Sequence, residues 1–152
     1  AAIGFLPGVL STERSVLLHD HYCVLLRHQH PLLAAAPDQR LGLEALRTLE
    51  FVAVRSHSET LRILQTLELT DRIRLSAAHF LAVPAIVSET DLAVLMPQEI
   101  AAGFVRRGGY ALLDADLPGH RFAVSLHWSR RFAQEPAKRW LRECIAELFE
   151  QR

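Results

Sequence analysis

Apolar positions gather into short blocks separated by turn residues, and the spacing inside each block names its element. Ala2 to Leu6 is an apolar run ended by Pro7-Gly8, the mark of a short buried strand. Ser15 to Arg27 carries a second strand, with Tyr22, Cys23, Val24, Leu25 and Leu26 at its centre; so continuous a run predicts cover on both faces. Pro31 stops it, Ala34-Ala35-Ala36-Pro37-Asp38 connects, and Leu43 to Leu49 is a short helix. Phe51 to Val54 is a buried strand. Ser56-His57-Ser58-Glu59 has the spacing of a capping box, with Ser56 accepting from a free helix amide and Glu59 reaching back. The helix it opens runs to about Leu67 and buries Leu61, Leu64 and Leu67.

Ile73 and Leu75 alternate with Arg72 and Arg74, which predicts a strand with one wet face. A helix follows from His79 to Val87, with Pro84 bending or shortening its first turn, and then a strand from Asp91 to Met96. Pro97-Gln98-Glu99 opens the next helix with proline at its first position and acid near its positive end. Arg106-Arg107-Gly108 closes it. Tyr110 to Leu113 and Phe122 to His127 are strands. In the last helix Ala137, Trp140, Leu141, Cys144, Ile145, Leu148 and Phe149 form a full apolar stripe at helical spacing. Strands alternating with helices argue an α/β fold with a largely parallel sheet.

Charge narrows the functions available. Lys+Arg and Asp+Glu both total 17, so the chain lacks the basic excess with which a domain neutralises phosphates, and it should not bind DNA by itself. Cys23 and Cys144 lie far apart within apolar patterns and read as two buried, reduced thiols of a cytoplasmic protein. No apolar run approaches the length of a bilayer span. The apolar start has no basic region before it and no cleavage site, so it is not a signal peptide.

Eight histidines are the first candidates for chemistry. His19/His21 and His28/His30 are pairs two apart, each on one face of a strand, yet neither has a third partner nearby in sequence, as zinc requires. There is no phosphate-binding glycine loop and no nucleophile elbow. Neither a metal, a cofactor nor catalysis is expected. Strand ends are a better lead. In open α/β sheets ligands sit beyond the carboxyl ends of strands, where helix N-termini offer free amides. That rule selects Ser56, His57 and Ser58 after one strand, and His79 and Phe80 after the next. The bland readings stand beside these: His79 as a helix cap, Phe80 as core, and the arginines as solvated faces or helix-end cations.

Several strings, in this order, resemble the effector-binding domain of LysR-type transcriptional regulators. Ala2-Ile3-Gly4-Phe5-Leu6-Pro7 is similar to a strand of the family's lobe I. Tyr22 to Arg27 followed by His30-Pro31-Leu32 resembles its first crossover strand. His79 to Pro84, Thr90 to Ala93 and Leu95-Met96-Pro97 resemble the core of lobe II. Val124 to Trp128, Pro136-Ala137 and Trp140-Leu141 resemble the return crossover and last helix. In style the sequence is nearest to regulators of nodulation and of aromatic-compound breakdown.

The resemblance implies a type 2 periplasmic-binding-protein-like fold: two lobes joined by crossover strands, with lobe I truncated at its start. On that plan residues 1–27 are part of lobe I and the first crossover, 28–121 are lobe II, and 122–152 are the return crossover and the C-terminal helix of lobe I. It implies a small organic acid, an aromatic one suiting the site, bound between the lobes to control transcription. The tip of the first strand (Phe5, Leu6, Pro7) and the end of the return crossover (His127, beside Trp128) would face the strand-end residues. It implies DNA contact only through a missing N-terminal domain, no membrane partner, and a homo-oligomer. A solute-binding protein of a transport system shares the fold and is the first alternative. A small metal-dependent enzyme is the second.

Overall fold

The computed structural model describes residues 1–6, 8–35, 40–118 and 121–150. The chain divides into two compact units, one of Ala1–Asp20 with Arg121–Arg152 and one of His21–His120. Strand β2 (Thr12–Arg27) contributes to both.

The second unit is built on a sheet whose middle strand is the inner half of β2. It pairs antiparallel with β6 (Leu92–Pro97) on one side and β7 (Tyr110–Ala115) on the other. Beyond β6 come β4 (Glu50–Val54) and then β5 (Ile73–Ala77), parallel throughout; beyond β7 comes the short parallel β3 (Arg40–Leu41). Every strand except β2 therefore points one way, the largely parallel arrangement that the strand–helix alternation predicts. Tyr22 to Leu26 are each at most 1% exposed, because a middle strand is covered on both faces. One face carries Cys23, Leu25, Val52, Val54, Val94 and Met96, covered by Val83 and Val87 of α3 (Val83–Ser88) and Ala101 of α4 (Gln98–Val105). The Cys23 thiol donates to Met96 O at 3.3 Å.

His30 explains the His-Pro-Leu ending of β2. Its Nδ1 accepts from Leu32 N at 3.1 Å, which leaves Nε2 as the protonated nitrogen, donating to Asp91 O at 3.1 Å. The ring clips the end of β2 to the start of β6, and both of its nitrogens are occupied. Gly108 and Gly109 take φ +86 and +88, a left-handed pair that only glycine adopts cheaply, to turn from α4 into β7.

Several expectations need correction here. The capping box does not form: His57, not Ser56, is the N-cap of α2 (Ser58–Thr66), without a side-chain cap bond, and Glu59 instead pairs with Arg62. Its buried positions are Thr60, Ile63 and Leu64; Leu61 and Leu67 are half-buried. Leu75 is 42% exposed, since β5 lies at the sheet edge with one neighbour. The helix expected from His79 is a 3-10 turn over Phe80–Ala82 followed by α3, because Pro84 has no N–H and fits only a first turn. Pro97 caps α4 rather than opening it. The short helix after β3 is α1 (Leu43–Thr48).

In the first unit β1 (Ala2–Gly4) pairs antiparallel with β8 (Arg121–Ser129), from Ala2 opposite His127 to Gly4 opposite Ser125, and β8 neighbours β2. Two expectations fail. The first strand is not buried: Ile3 is 51% exposed, and the strand ends at Gly4 rather than Leu6. The apolar stripe of α5 (Pro136–Glu150) includes no buried residue, with Trp140 65% exposed and only Cys144, Ile145 and Phe149 of the stripe half-covered. Cys144 is accordingly half-buried rather than core, and neither cysteine is in a disulfide. Pro7, Ala36 to Asp38 and His120 lie outside the described residues.

Candidate ligand-binding site

Strands β4 and β5 run parallel and in register, with Val54 opposite Ala77, so their carboxyl ends share one rim of the second unit. Arg55 N donates to Ala77 O at 2.9 Å, and His57 N turns back to Val54 O at 3.1 Å. These bonds fix the turn that throws His57 inward at the start of α2. The hydroxyl of Thr60 donates to His57 O at 2.9 Å and holds the backbone from the helix side.

The His57 ring lies between two aromatic edges. Tyr22, rising from β2, approaches at 5.5 Å between centroids and 84° between planes. Phe80, from the 3-10 turn after β5, approaches at 5.3 Å and 63°. Both are edge-to-face geometries, the arrangement ring quadrupoles favour. Tyr22 is buried, whereas His57 and Phe80 are half-buried, so the cluster runs from the core towards the surface. His57 Nδ1 is sealed from solvent without a hydrogen-bond partner among the described residues. Burial pushes the imidazole below its usual value, and the charge of Glu59 and, less, the residue's own backbone oppose that only in part. The ring is therefore neutral at pH 7.

The sequence-selected residues separate into three groups. His57 and Phe80 touch. Ser56, Ser58 and His79 sit exposed near the same strand ends, where the hydroxyls of the serines and the first amides of α2 can meet an anion. Phe5, Leu6 and His127 belong to the other unit. There Phe5 packs on Phe122 at 5.3 Å, Leu6 is exposed, and buried His127 is hydrogen-bonded through Nδ1 to Thr12 Oγ1 at 3.3 Å. Trp128 donates from Nε1 to Glu13 at 2.8 Å, a satisfied packing role. Pro7 lies outside the described residues. Tyr22 is the residue that sequence reasoning missed; a phenol at the head of an otherwise apolar run of small and aliphatic side chains was the available signal.

A wider cavity of about 570 Å³ lies elsewhere in this unit, lined by His30, Leu49, Glu50, Arg72 and Asp91 among others. Its polar groups are already engaged. Arg72 donates to Leu49 O and Thr48 O, Glu50 pairs with Arg74, Asp91 pairs with Arg27, and both His30 nitrogens are used. The aromatic cluster, by contrast, holds a buried nitrogen with no hydrogen-bond partner among the described residues. Among the described residues no three His, Cys, Asp or Glu side chains converge as metal ligands, and no helix is long and apolar enough to cross a membrane.

Comparison with known proteins adds the family context. The model of the LysR substrate binding domain matches residues 1–150. The HTH-type transcriptional activator NagR of Ralstonia sp is 30% identical over 97% of this chain and 50% of its own length. The HTH-type transcriptional activator NahR of Pseudomonas putida is 28% identical over the same shares. The chain thus spans about half the length of the curated relatives it matches. Among solved structures, the regulatory domain of MexT, a transcriptional activator in Pseudomonas aeruginosa, superposes with a TM-score of 0.73 at 18% identity, covering 95% of this chain and 72% of that one.

Proposed function

We propose, from the premise that this chain belongs to the LysR substrate-binding-domain family, that it senses a small aromatic acid at the rim formed by Tyr22, His57 and Phe80. The fold is the α/β, type 2 periplasmic-binding-protein-like fold of LysR regulatory domains. The observation that carries the proposal is the convergence of a half-buried imidazole and two aromatic rings beside the carboxyl ends of two adjacent parallel strands. Phe80 offers apolar ring surface, and the Ser56 and Ser58 hydroxyls with the α2 amides suit a carboxylate.

In the whole regulator such binding would act by population shift. An acid that prefers one arrangement of the sensing domain biases the arrangement of paired subunits, and through them a DNA-binding domain beyond this chain. A ligand that binds only the folded protein raises its melting temperature in proportion to log concentration above Kd. Aromatic carboxylates should therefore raise the melting temperature of this protein, and Phe80→Ala should abolish the rise. A panel that leaves the melting temperature of the wild type unmoved up to 10 mM (about the weakest useful affinity) would dispose of the reading.

A further inference from the structure

The two nitrogens of His57 stand in unlike surroundings. Nδ1 is buried beside the rings of Tyr22 and Phe80 with no well-formed hydrogen bond among the described residues, and only the residue's own backbone bears on the ring, as the smallest influence on its proton. Nε2 is not among the buried, unpartnered atoms, and the residue is half-buried. An imidazolium would bury an N–H with no well-formed hydrogen bond to hold it. A neutral ring protonated on Nδ1 would do the same. Orphaned buried N–H groups are rarer in folded proteins than orphaned acceptors, which marks them as the costlier of the two. The form that avoids a buried N–H carries its proton on Nε2 and leaves a bare lone pair inside.

We propose that His57 is a specificity-determining residue of this site, presenting Nε2–H as a hydrogen-bond donor that only a ligand with an acceptor can meet. The proposal rests on the reading of the rim as an acid site and adds which atom selects the acid. Recognition is then directional rather than ionic. A carboxylate or carbonyl oxygen is accepted, and an aromatic ammonium of the same size, which has donors only, is refused because donor would face donor. Burial of the ring enforces the selection by suppressing the charged form.

Two measurements on the 152-residue protein test this. The first is the nitrogen-15 spectrum of the histidine rings at pH 7.5, with His57 assigned by its absence in His57→Gln. The proposal expects a neutral ring protonated on Nε2; protonation on Nδ1, or an imidazolium, overturns it. The second is a calorimetric titration with benzoate as the probe acid and benzylamine as its acceptor-free counterpart. Benzoate should bind and benzylamine should not. His57→Leu should weaken benzoate by about ten- to hundredfold, the span of one hydrogen bond to a charged acceptor. His57→Gln, which keeps an N–H at that reach, should recover most of the affinity. Wild-type affinity in His57→Leu, or equal binding of benzylamine, overturns the proposal. No benzoate binding by wild-type protein whose ring is in the Nε2–H form would overturn the underlying acid-site reading, and the proposal with it, while leaving the tautomer assignment standing.

Discussion

Replacing His57 with leucine should make the protein more stable while disabling its site. The magnitude follows from three contributions. A sealed, unpartnered Nδ1 costs about 1–3 kcal/mol of desolvation that the fold never recovers. Leucine removes the polar atom at nearly constant volume, so overpacking is minor. Against this stand two lost ring contacts, with Tyr22 and Phe80, at the low end of about 0.5–1.5 kcal/mol each, partly replaced by leucine contacts. His57 makes no side-chain cap bond at the start of α2, so no cap is forfeited. The balance favours leucine by about 1 kcal/mol, a rise in the urea midpoint of about 0.3–1 M at unchanged slope.

The same substitution has a pH signature. The folded imidazole is held below its usual 6.5, chiefly by burial, with Glu59 opposing. As pH falls, the unfolded chain takes up the proton first. The stability associated with the neutral ring is present in full above about 6.5 and is lost as pH falls through the folded value. The wild-type midpoint should therefore drop faster than that of His57→Leu on acidification from about pH 7 to 5. A leucine variant that is less stable by 1 kcal/mol or more (the mean net worth of one hydrogen bond), or one with the same pH slope as wild type, would refute this reasoning about Nδ1.

Other substitutions separate packing from sensing. His30→Ala should cost about 2–3 kcal/mol in a urea melt, since it orphans Leu32 N–H and Asp91 C=O, with the wide cavity beside them admitting water to soften the loss. Trp140→Ala should cost under about 1 kcal/mol, well below the 3–5 of a buried tryptophan, because its side chain is largely exposed. Ser56→Ala and His79→Ala should each stay within about 0.5 kcal/mol of wild-type stability, being exposed, yet weaken benzoate severalfold by calorimetry.

The pattern of the sequence was most informative where the fold covers both faces of an element. Tyr22 to Leu26 and Phe51 to Val54 read as buried strands and are buried strands, because a continuous apolar run has few other stable homes, and the strand expected over Asp91 to Met96 forms as Leu92–Pro97. It misled where only one face is at issue. The α5 stripe and the Ile3 strand have the right periodicity, but periodicity records that a face is apolar and not what lies against it. Leu75 alternates as expected and is still exposed, since edge position is a property of strand order rather than of local pattern.

The site was legible in half. The rule of strand carboxyl ends selected His57 and Phe80, and the parallel pairing of β4 with β5 brings them into contact. Tyr22 was hidden because its neighbours made it look like one more core position. The capping box was a false lead: the turn closed by His57 N–H on Val54 O makes His57 the N-cap and moves the helix start by one residue, to Ser58.

The most direct test of the central claim is calorimetric titration of aromatic carboxylates into the wild-type protein and into Phe80→Ala and His57→Leu. Acid recognition at this rim predicts saturable one-site binding of at least one carboxylate by the wild type, with affinity lost by tenfold or more in both variants (about 1.4 kcal/mol). A carboxylate bound with equal affinity by all three proteins would place the sensing site away from Tyr22, His57 and Phe80 and contradict the claim.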